Sequence, residues 1–317
     1  MKKIVLFGGG TTSSQILKGL KQFPVEITSI IGVADSGRST GDLRREFDIP
    51  AVGDISKVML SMSDADDDIL NLMKYKFKKE SSLNGHSIKN LIITALLDMY
   101  GSFDKAVPVF GKLINTKGTV LPLTEESINL IAETTEGETI FGEDDITEAM
   151  KTIKSIRFDK EFTTNPKIFK EIESADLIVL SAGSLYTSII PHLMAPGVAE
   201  ALKNSGKPII YICNLITQPG ETENLTASGH VKLIEEYLGK GILEGVIVNS
   251  DEISEEDSIR YESREQKLPV IFDKDELKKL NIKIIADKLH TIEDELIRHD
   301  ALKTGFLIFS YLMDGEK

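Results

Sequence analysis

Glycines and hydroxyl side chains follow the first apolar run of the sequence. Lys2–Phe7 is short and apolar, Gly8-Gly9-Gly10 comes next, and residues 13–20 carry apolar side chains at helical spacing. The N–H groups of a glycine turn between a strand and a helix can approach an anion closely, and the helix N-terminus adds a favourable partial charge. The segment therefore predicts an anion-binding loop, and a plain tight turn with Thr11 or Thr12 as helix N-cap is the alternative.

The spacing of this loop resembles part of a dinucleotide-binding fingerprint. Gly8, Gly10 and Ser13 take the fingerprint positions with the last glycine replaced, and Asp35 closes the next apolar run at 27–34, where a ribose-binding carboxylate would lie. Taken alone, these residues would suggest a nicotinamide-dependent oxidoreductase. The arginine-rich segment that follows Asp35 is foreign to that class.

Residues 35–45 combine glycines and hydroxyls with three arginines, directly after a predicted strand. The planar guanidinium fork suits phosphate or carboxylate, so a loop that closes over a ligand is one interpretation. An exposed helix start with solvated arginines is the other. The candidate ligand-binding residues here are Asp35, Ser36, Gly37 and Arg44.

A later strand end repeats the order of strand, small-residue turn and helix. After the apolar run at 175–180, Gly183 and Ser184 precede Tyr186 and Thr187, so that hydroxyl groups would face a bound anion. Ser184 lacks the Gly-x-Ser-x-Gly frame and an assignable histidine base. We therefore favour N-capping or phosphate binding over nucleophilic catalysis at Ser184.

Amide and hydroxyl groups follow the next strand, at 208–214. Asn214, Thr217 and Gln218 lie on a Pro-Gly turn and suit recognition of a base or a sugar. The alternative is that these side chains merely satisfy one another across a long turn.

The order of these segments predicts an α/β fold with a mostly parallel sheet flanked by helices. We predict a single domain over residues 1–317, with a β-rich excursion at about 119–160. The predicted helices lie at 55–62, 68–75, 87–100, 105–114, 185–193 and 230–238 and from about 301, and the later strands at 175–180, 208–214, 245–249 and 283–286.

Composition narrows the classes of function. A net charge of -13 opposes binding to a nucleic-acid backbone, and the single cysteine, Cys213, excludes an internal disulfide. No histidine pair has metal-ligand spacing, and we interpret the acidic run at 64–68 as a solvated helix start. The apolar runs are too short to span a bilayer, and the N-terminus is not a signal peptide, so we expect a cytoplasmic protein without membrane insertion.

Seven stretches, collinear along nearly the whole chain, resemble the YvcK/CofD family. They are GGGTTSSQILKGLK from Gly8, VADSGRSTGDLRREF from Val33, VGDISKVMLSM from Val52, NGHSIKNLIITAL from Asn84, AGSLYTSIIPHL from Ala182, CNLITQPGETENLTASGHV from Cys213 and IRHD from Ile297.

The family has two branches. One resembles the transferase that joins phospholactate to a deazaflavin alcohol and releases a guanine nucleotide. The other is the gluconeogenesis-factor branch, associated with cell shape, growth on gluconeogenic carbon sources and binding of uridine diphosphate sugars. The CNLITQPGET segment and the C-terminal RHD are more similar to this second branch.

The resemblance implies a Rossmann-like fold with the ligand over the carboxyl ends of the strands. It implies a regulatory protein that binds a nucleotide sugar or another nucleotide, without a required cofactor and without a convincing catalytic residue, and it leaves a homo-oligomer possible. The binding residues it adds or supports are Gly9, Gly10, Thr11, Thr12, Ser13, Asp54, Asn90, Tyr261 and Arg298.

Some residues depart from the family pattern. The usual GGGTG is GGGTT here, the usual ADDGGSSG is ADSGRSTG, and Lys89 precedes Asn90 where the family has glycine. The loss of the second acidic residue after Asp35, with Arg38 nearby, suggests that arginine contacts partly replace a metal ion. The alternative function is a phosphoryl or nucleotidyl transferase, in which Asp35 would hold Mg²⁺ and Arg44 or Arg45 would stabilise phosphate charge.

Overall fold

The computed structural model describes residues 1–35 and 37–314. Seven parallel strands form the central sheet in the order β10-β9-β8-β7-β1-β2-β3, and β4–β6 and β11–β12 form two small antiparallel sheets. The strands are β1 (Lys2–Phe7), β2 (Val25–Ile31), β3 (Thr119–Pro122), β4 (Leu130–Thr134), β5 (Thr139–Phe141), β6 (Ile153–Phe158), β7 (Leu177–Leu180), β8 (Ile209–Ile212), β9 (Gly245–Asn249), β10 (Lys283–Asp287), β11 (His290–Glu293) and β12 (Leu296–His299).

Helices cover the sheet. They are α1 (Gly10–Leu20), α2 (Arg38–Phe47), α3 (Gly53–Ser61), α4 (Asp67–Lys74), α5 (Ile88–Tyr100), α6 (Phe103–Leu113), α7 (Glu143–Ala149), α8 (Lys167–Ser174), α9 (Ile190–Met194), α10 (Val198–Asn204), α11 (Ala227–Leu238), α12 (Glu255–Glu265), α13 (Lys274–Lys279) and α14 (Ala301–Asp314). A π-helical turn, Leu185–Ile189, precedes α9. Among the described residues, no helix has the length and apolarity to cross a bilayer.

The predicted α/β fold is confirmed. The strands β7 and β8 read LIVL and IIYI, and every residue in them is buried, as expected of parallel strands covered on both faces. One boundary was wrong: Thr119–Pro122 pairs with β2 in the central sheet, so the β-rich insertion begins after β3. The predicted strand at 27–34 is β2, which ends earlier, at Ile31, and is followed by residues without regular secondary structure.

The sequence analysis did not predict several short elements. These are α7, α8, α10, α12, α13 and the β11–β12 hairpin, which are short or strongly charged segments in which the apolar period is hard to detect. Three of them, α7, α12 and the β11–β12 hairpin, bring residues to the candidate site described below.

Two glycines let the C-terminal helix pack directly on α1. Helix α1 packs against α14, and a Cβ atom at Gly19 would lie 1.7 Å from the carbonyl oxygen of Ala301. At Gly305, a Cβ atom would lie 2.8 Å from the carbonyl carbon of Gly19. The two helices therefore touch backbone to backbone, which places the preceding strand β12 beside α1.

The insertion formed by β4, β5, α7 and β6 is tied to the loop after β8. The Ile153 amide donates to the carbonyl of Gly220 over 2.9 Å. Gly220 has φ 74°, and a Cβ atom there would lie 2.5 Å from the carbonyl oxygen of Lys151. Only glycine fits this close approach. Together with the hydrogen bond from Ile153, it holds the insertion against the carboxyl edge of the central sheet.

Candidate functional site

The candidate site lies where the carboxyl ends of β1, β2, β7 and β8 meet at one edge of the sheet. From β1, the strand order runs through β2 and β3 on one side and through β7 to β10 on the other. Open α/β sheets bind ligands at such a reversal, because the loops after neighbouring strands diverge there and leave a crevice.

The glycine loop leaves the start of α1 open. Gly9 is the N-cap residue of α1, and no side chain among the described residues caps this helix, so the predicted threonine cap is not seen. At Gly8, with φ 151°, a Cβ atom would lie 2.6 Å from Ser13 Oγ. Gly10 begins the helix with φ 70°. The uncapped N–H groups of the first turn are the donors that an anion at a helix N-terminus uses.

Ser13 serves the loop rather than the crevice. Its side chain is fully buried, and its hydroxyl donates to Ser181 Oγ over 2.9 Å. This bond ties the start of α1 to the end of β7. Thr11 is exposed and Thr12 half-buried, so these two hydroxyls are the ones available to a ligand.

Two cavities lie on either side of the start of α1. The Arg298 cavity, of about 330 Å³, is lined by Thr12, Gln15, Ala182, Gly183, Ser184, Asn214, Leu215, Ile216, Thr217, Gln218, Tyr261, Lys267, Leu296, Ile297, Arg298 and His299. The Asp35 cavity, of about 230 Å³, is lined by Gly9, Gly10, Thr11, Gly32, Val33, Ala34, Asp35, Asp54, Lys57, Leu123, Ile128, Glu143, Phe158, Thr187, Ser188, Pro191 and His192.

Arg298 offers a cation to the first cavity. Within the described part of the chain, its guanidinium makes no hydrogen bond or ion pair. The phenol oxygen of Tyr261 accepts a 2.6 Å hydrogen bond from the amide of Ile297, next to Arg298. Tyr261 thus joins α12 to β12 and also lines the cavity. Tyr261 and Arg298, both implied by the family resemblance, therefore lie together.

His299 lines the same cavity without a protein partner. Its side chain is 3% exposed, and neither ring nitrogen has a hydrogen-bond partner among the described residues. Burial lowers the pKa of His299 to about 4, so the ring is neutral at physiological pH. A neutral imidazole offers one donor and one acceptor. The sequence analysis did not select His299 individually, although the RHD motif contains it.

In the loop after β7, a carboxylate of the protein itself accepts the hydrogen bonds that an anion could take. Ser184 donates to Glu221 Oε2, and the amide of Tyr186 donates to the same oxygen over 3.0 Å. Thr187 donates to Ser184 Oγ from its amide over 3.1 Å and from its hydroxyl over 2.6 Å. Burial raises the pKa of Glu221 to about 6, and these hydrogen bonds oppose the shift. Glu221 therefore lies where the sequence suggested a phosphate.

Asn214, Thr217 and Gln218 line the cavity and also build it. Asn214 Nδ2 donates to the Gly183 carbonyl over 2.7 Å, and the Gly183 amide donates to Asn214 Oδ1 over 3.1 Å. Thr217 Oγ1 accepts from the Leu268 amide over 2.9 Å. Gln218 Nε2 donates to Glu221 Oε1 over 2.7 Å. In this structure these side chains bond to other protein groups rather than to one another.

Carboxylates crowd the Asp35 cavity. One carboxylate oxygen from each of Asp35, Glu143 and Asp144 lies within 4.8 Å of the others. Asp54 approaches from α3, with Oδ2 2.8 Å from where a Cβ atom of Gly9 would be. Burial, and then the charge of Asp54, raise the pKa of Asp35. Burial and the surrounding carboxylates raise the pKa of Glu143 to about 8.

Glu143 was missed by the sequence analysis. It belongs to α7 in the insertion, far from Asp35 along the chain, and nothing in the sequence distinguishes it from the other glutamates. The tertiary structure thus supplies further acidic groups beside Asp35, where the sequence had lost one. Gly37 donates its amide to Asp35 Oδ1 over 2.9 Å, while Ser36 lies outside the described residues.

Arg44 has a structural task rather than an open guanidinium. Its side chain is 8% exposed and donates to the carbonyl oxygen of Asp35 over 2.9 Å and to that of Ile128 over 2.8 Å. It also donates to Ser127 Oγ and Asn129 Oδ1, each over 3.1 Å. These bonds fasten the insertion to the Asp35 loop.

The lysines near α3 are paired with neighbours. Lys57 Nζ lies 3.3 Å from Asp54 Oδ1. Lys89 Nζ donates to Ser56 Oγ over 2.7 Å and to Asn90 Oδ1 over 2.8 Å, and Asn90 does not line either of the two cavities. Burial, and then the charge of Lys57, lower the pKa of Lys89 to about 7.

Comparison with known proteins agrees with the resemblance. The sequence profile of the family described as 2-phospho-L-lactate transferase CofD matches residues 4–290. A Bacillus subtilis protein named gluconeogenesis factor is 40% identical over 313 residues, covering 98% of each chain. A protein of the same name from Halalkalibacterium halodurans is 40% identical over 306 residues, covering 96% of this chain and 94% of that protein.

The fold has a close counterpart among solved structures. A crystal structure from Bacillus halodurans, described as a member of the UPF0052 family, superimposes with a TM-score of 0.93 at 38% identity. The superposition covers 97% of this chain and 99% of that one. The profile match and the full-length relatives lead to the same result: the chain belongs to the YvcK/CofD family, on the branch of the bacterial gluconeogenesis factors.

Proposed function

We propose that this protein binds a uridine diphosphate sugar at the carboxyl edge of the sheet and acts as a gluconeogenesis factor through its ligand-bound state. The observation that carries the proposal is the start of α1 between two cavities, with Arg298 in one of them; among the described residues, no side chain caps the helix and none pairs with this guanidinium. A diphosphate over α1 would link a group in one cavity to a group in the other.

Charge supports this arrangement. The chain carries a net charge of -13, so an anionic ligand needs local donors rather than a general attraction. The first turn of α1 supplies backbone N–H groups, and Arg298 supplies a fork that suits a phosphate. We assign the nucleoside to the Arg298 cavity, the larger of the two, where Tyr261 and neutral His299 line the wall.

The state of the nucleophilic side chains supports binding without turnover. The hydroxyl of Ser184 is engaged with Glu221 and Thr187. Cys213 is fully buried, and burial raises the pKa of its thiol to about 12, which keeps it protonated.

Calorimetric titration of the metal-free protein with uridine diphosphate N-acetylglucosamine tests the proposal. Arg298→Ala should weaken binding about tenfold or more, because a hydrogen bond to a charged group contributes about 1.5–3 kcal/mol and 1.4 kcal/mol is a factor of ten. Arg45→Ala is the matched control, since Arg45 is 72% exposed, pairs with Asp42 and lines neither cavity. Saturable binding that Arg298→Ala leaves unchanged, or a preference for guanine nucleotides, would contradict the proposal.

A cellular test follows from the name of the relatives. We expect a strain lacking this protein to grow poorly on gluconeogenic carbon sources and to change shape, and the wild-type gene to restore both. The Arg298→Ala gene should restore them only in part if the bound state is the active one. Full rescue by a variant shown not to bind would separate the cellular role from the ligand.

The carboxylates of the Asp35 cavity favour a second candidate, a metal-dependent transferase of phosphorus-containing groups. Hard oxygen ligands suit Mg²⁺. Burial, and then mutual repulsion, raise the pKa of Asp35 and Glu143, and a divalent cation would relieve the repulsion, so the residues fit such an ion. Bound there, the ion would neutralise charge on a transferring phosphoryl group. Turnover of a nucleotide substrate that needs Mg²⁺ and is lost in Glu143→Gln would favour this candidate over the first.

A further inference from the structure

On the basis of the nucleotide-sugar function proposed above, we propose that the Asp35 cavity holds the glycosyl group and selects neutral, hydroxyl-rich rings against uronic acids. The Asp35 cavity, of about 230 Å³, is smaller than the roughly 300–1,000 Å³ of pockets that enclose a drug-sized molecule. One sugar ring is therefore a better occupant than a nucleoside.

The position of the two cavities gives the path of the ligand. Thr12 lines the Arg298 cavity and Thr11 lines the Asp35 cavity, so the first turn of α1 separates them. The π-helical turn after β7 does the same, with Ser184 on one side and Thr187 on the other. A diphosphate that crosses the N-terminus of α1 therefore delivers the group on its outer phosphate into the Asp35 cavity.

A buried histidine points to a hydrogen-bonding occupant. His192 lines the Asp35 cavity, is 1% exposed, and has Nδ1 2.6 Å from the carbonyl oxygen of Ser188. We assign the ring hydrogen to Nδ1 from this contact, which leaves a lone pair on Nε2. Nε2 has no hydrogen-bond partner in the described part of the chain, and a buried acceptor costs stability until a donor reaches it.

The surroundings keep this acceptor neutral and leave space beside the ring. Burial lowers the pKa of His192 to about 4, although the carbonyl groups of Ser188 and Ile30 favour the charged form. Phe7 packs edge-on against the imidazole with the ring centroids 5.9 Å apart. A Cβ atom at Gly32 would lie 3.9 Å from Nε2, so glycine leaves this side of the ring open. A sugar hydroxyl is a donor of suitable size.

The other polar groups of the cavity also accept hydrogen bonds. Asp35, Asp54 and Glu143 present carboxyl oxygens, and the cation on the wall, Lys57, is paired with Asp54 over 3.3 Å. Vicinal hydroxyls can donate to such oxygens, whereas a ring carboxylate would bring a further negative charge beside Asp35 and Asp54. Discrimination against an anionic ring thus arises from repulsion as well as from missing donors.

Four ligands test the proposal by calorimetry: uridine diphosphate alone and its glucose, N-acetylglucosamine and glucuronic acid conjugates. The titrations include a chelator so that no divalent cation bridges carboxylates. We expect the two neutral sugars to bind more tightly than uridine diphosphate, and the glucuronic acid conjugate to bind at least about tenfold more weakly than the glucose conjugate, because like-charge contacts penalise the wrong partner.

Two isosteric variants assign the effect to the cavity. Asp54→Asn removes a carboxylate from the cavity wall and should reduce the discrimination between the glucose and glucuronic acid conjugates severalfold. Glu148→Gln removes the same charge from the exposed end of α7, which lines neither cavity, and should leave the discrimination unchanged. Circular dichroism checks that both variants fold.

The outcomes separate the two proposals. Equal affinity for uridine diphosphate and all three conjugates would overturn the glycosyl assignment and leave nucleotide binding intact. Tighter binding of the glucuronic acid conjugate, or discrimination unaffected by Asp54→Asn, would also overturn it. Failure of every uridine ligand to bind would refute the proposed function itself.

Discussion

Replacement of Glu143 by glutamine is expected to stabilise the ligand-free protein at neutral pH. Burial, and then the charges of Asp35, Asp144 and Asp54, raise the pKa of Glu143 from 4.5 to about 8. The unfolded chain releases this proton near pH 4.5, whereas the folded protein keeps it until about pH 8. The unfolded state binds fewer protons across this window, so the free energy of unfolding falls as the pH rises.

The magnitude follows from the size of the window. At pH 7 the pH lies about 2.5 units above the pKa of the unfolded carboxyl, while the folded carboxyl is still protonated. Each pH unit corresponds to about 1.4 kcal/mol. The ceiling is therefore about 3 kcal/mol, and relaxation of the site and water penetration lower it, so we expect a gain of about 1–3 kcal/mol for Glu143→Gln. Near pH 4.5 the two proteins should be almost equally stable, because glutamine resembles the protonated acid.

Urea unfolding at pH 5 and at pH 8 measures the effect. The informative quantity is the difference between wild type and Glu143→Gln, because the buried histidines titrate in both proteins and cancel. Glu148→Gln is the control for loss of an exposed carboxylate on the same helix. A difference that stays constant from pH 5 to pH 8 would refute the claim that the Asp35 cavity holds Glu143 protonated.

Three further predictions concern the elements that support the site. Gly19→Ala should destabilise the protein by about 1–3 kcal/mol or more and weaken nucleotide binding, because its Cβ atom would clash with the backbone of α14. Thermal melting measures the loss of stability. Gly111→Ala is the control, because a Cβ atom there would meet a flexible methionine at 3.4 Å. Arg44→Ala should cost about 3 kcal/mol or more by leaving buried carbonyls unpaired, and should make the insertion sensitive to limited proteolysis, unlike Arg45→Ala. Burial lowers the pKa of His299 from 6.5 to about 4, so the unfolded state takes up a proton first and stability is lost as the pH falls through this range. In urea titrations, His299→Gln should flatten this decline of the free energy of unfolding with falling pH. An unchanged pH dependence would contradict the prediction.

Local patterns in the sequence predicted which loops would meet at one edge of the sheet. An apolar run followed by glycine and hydroxyl residues marks a strand that turns into a helix, and three such segments lie at the carboxyl edge of the sheet. Their meeting follows from the parallel pairing of β1, β7 and β8, which the alternation of strands and helices predicts. The collinear motifs also identified the family, which the full-length relatives confirm.

The same patterns did not reveal which donors are open to a ligand. Arg44 and Ser184 are residue types that bind anions. In the folded protein, however, carbonyl oxygens accept the hydrogen bonds of Arg44, and the carboxylate of Glu221 accepts that of Ser184. Residue type sets the capacity for hydrogen bonds, and the partner that fills it comes from elsewhere in the chain.

The sequence by itself determined the parallel α/β sheet, the strand-end loops and the family, because apolar periodicity and glycine turns are local properties. Only the tertiary structure decided that Glu143 from the insertion and His192 from α9 would share a cavity with Asp35, and that Arg298 and His299 would face another. Burial and the charges of distant residues set the protonation of these groups, and both arise only when the chain has packed.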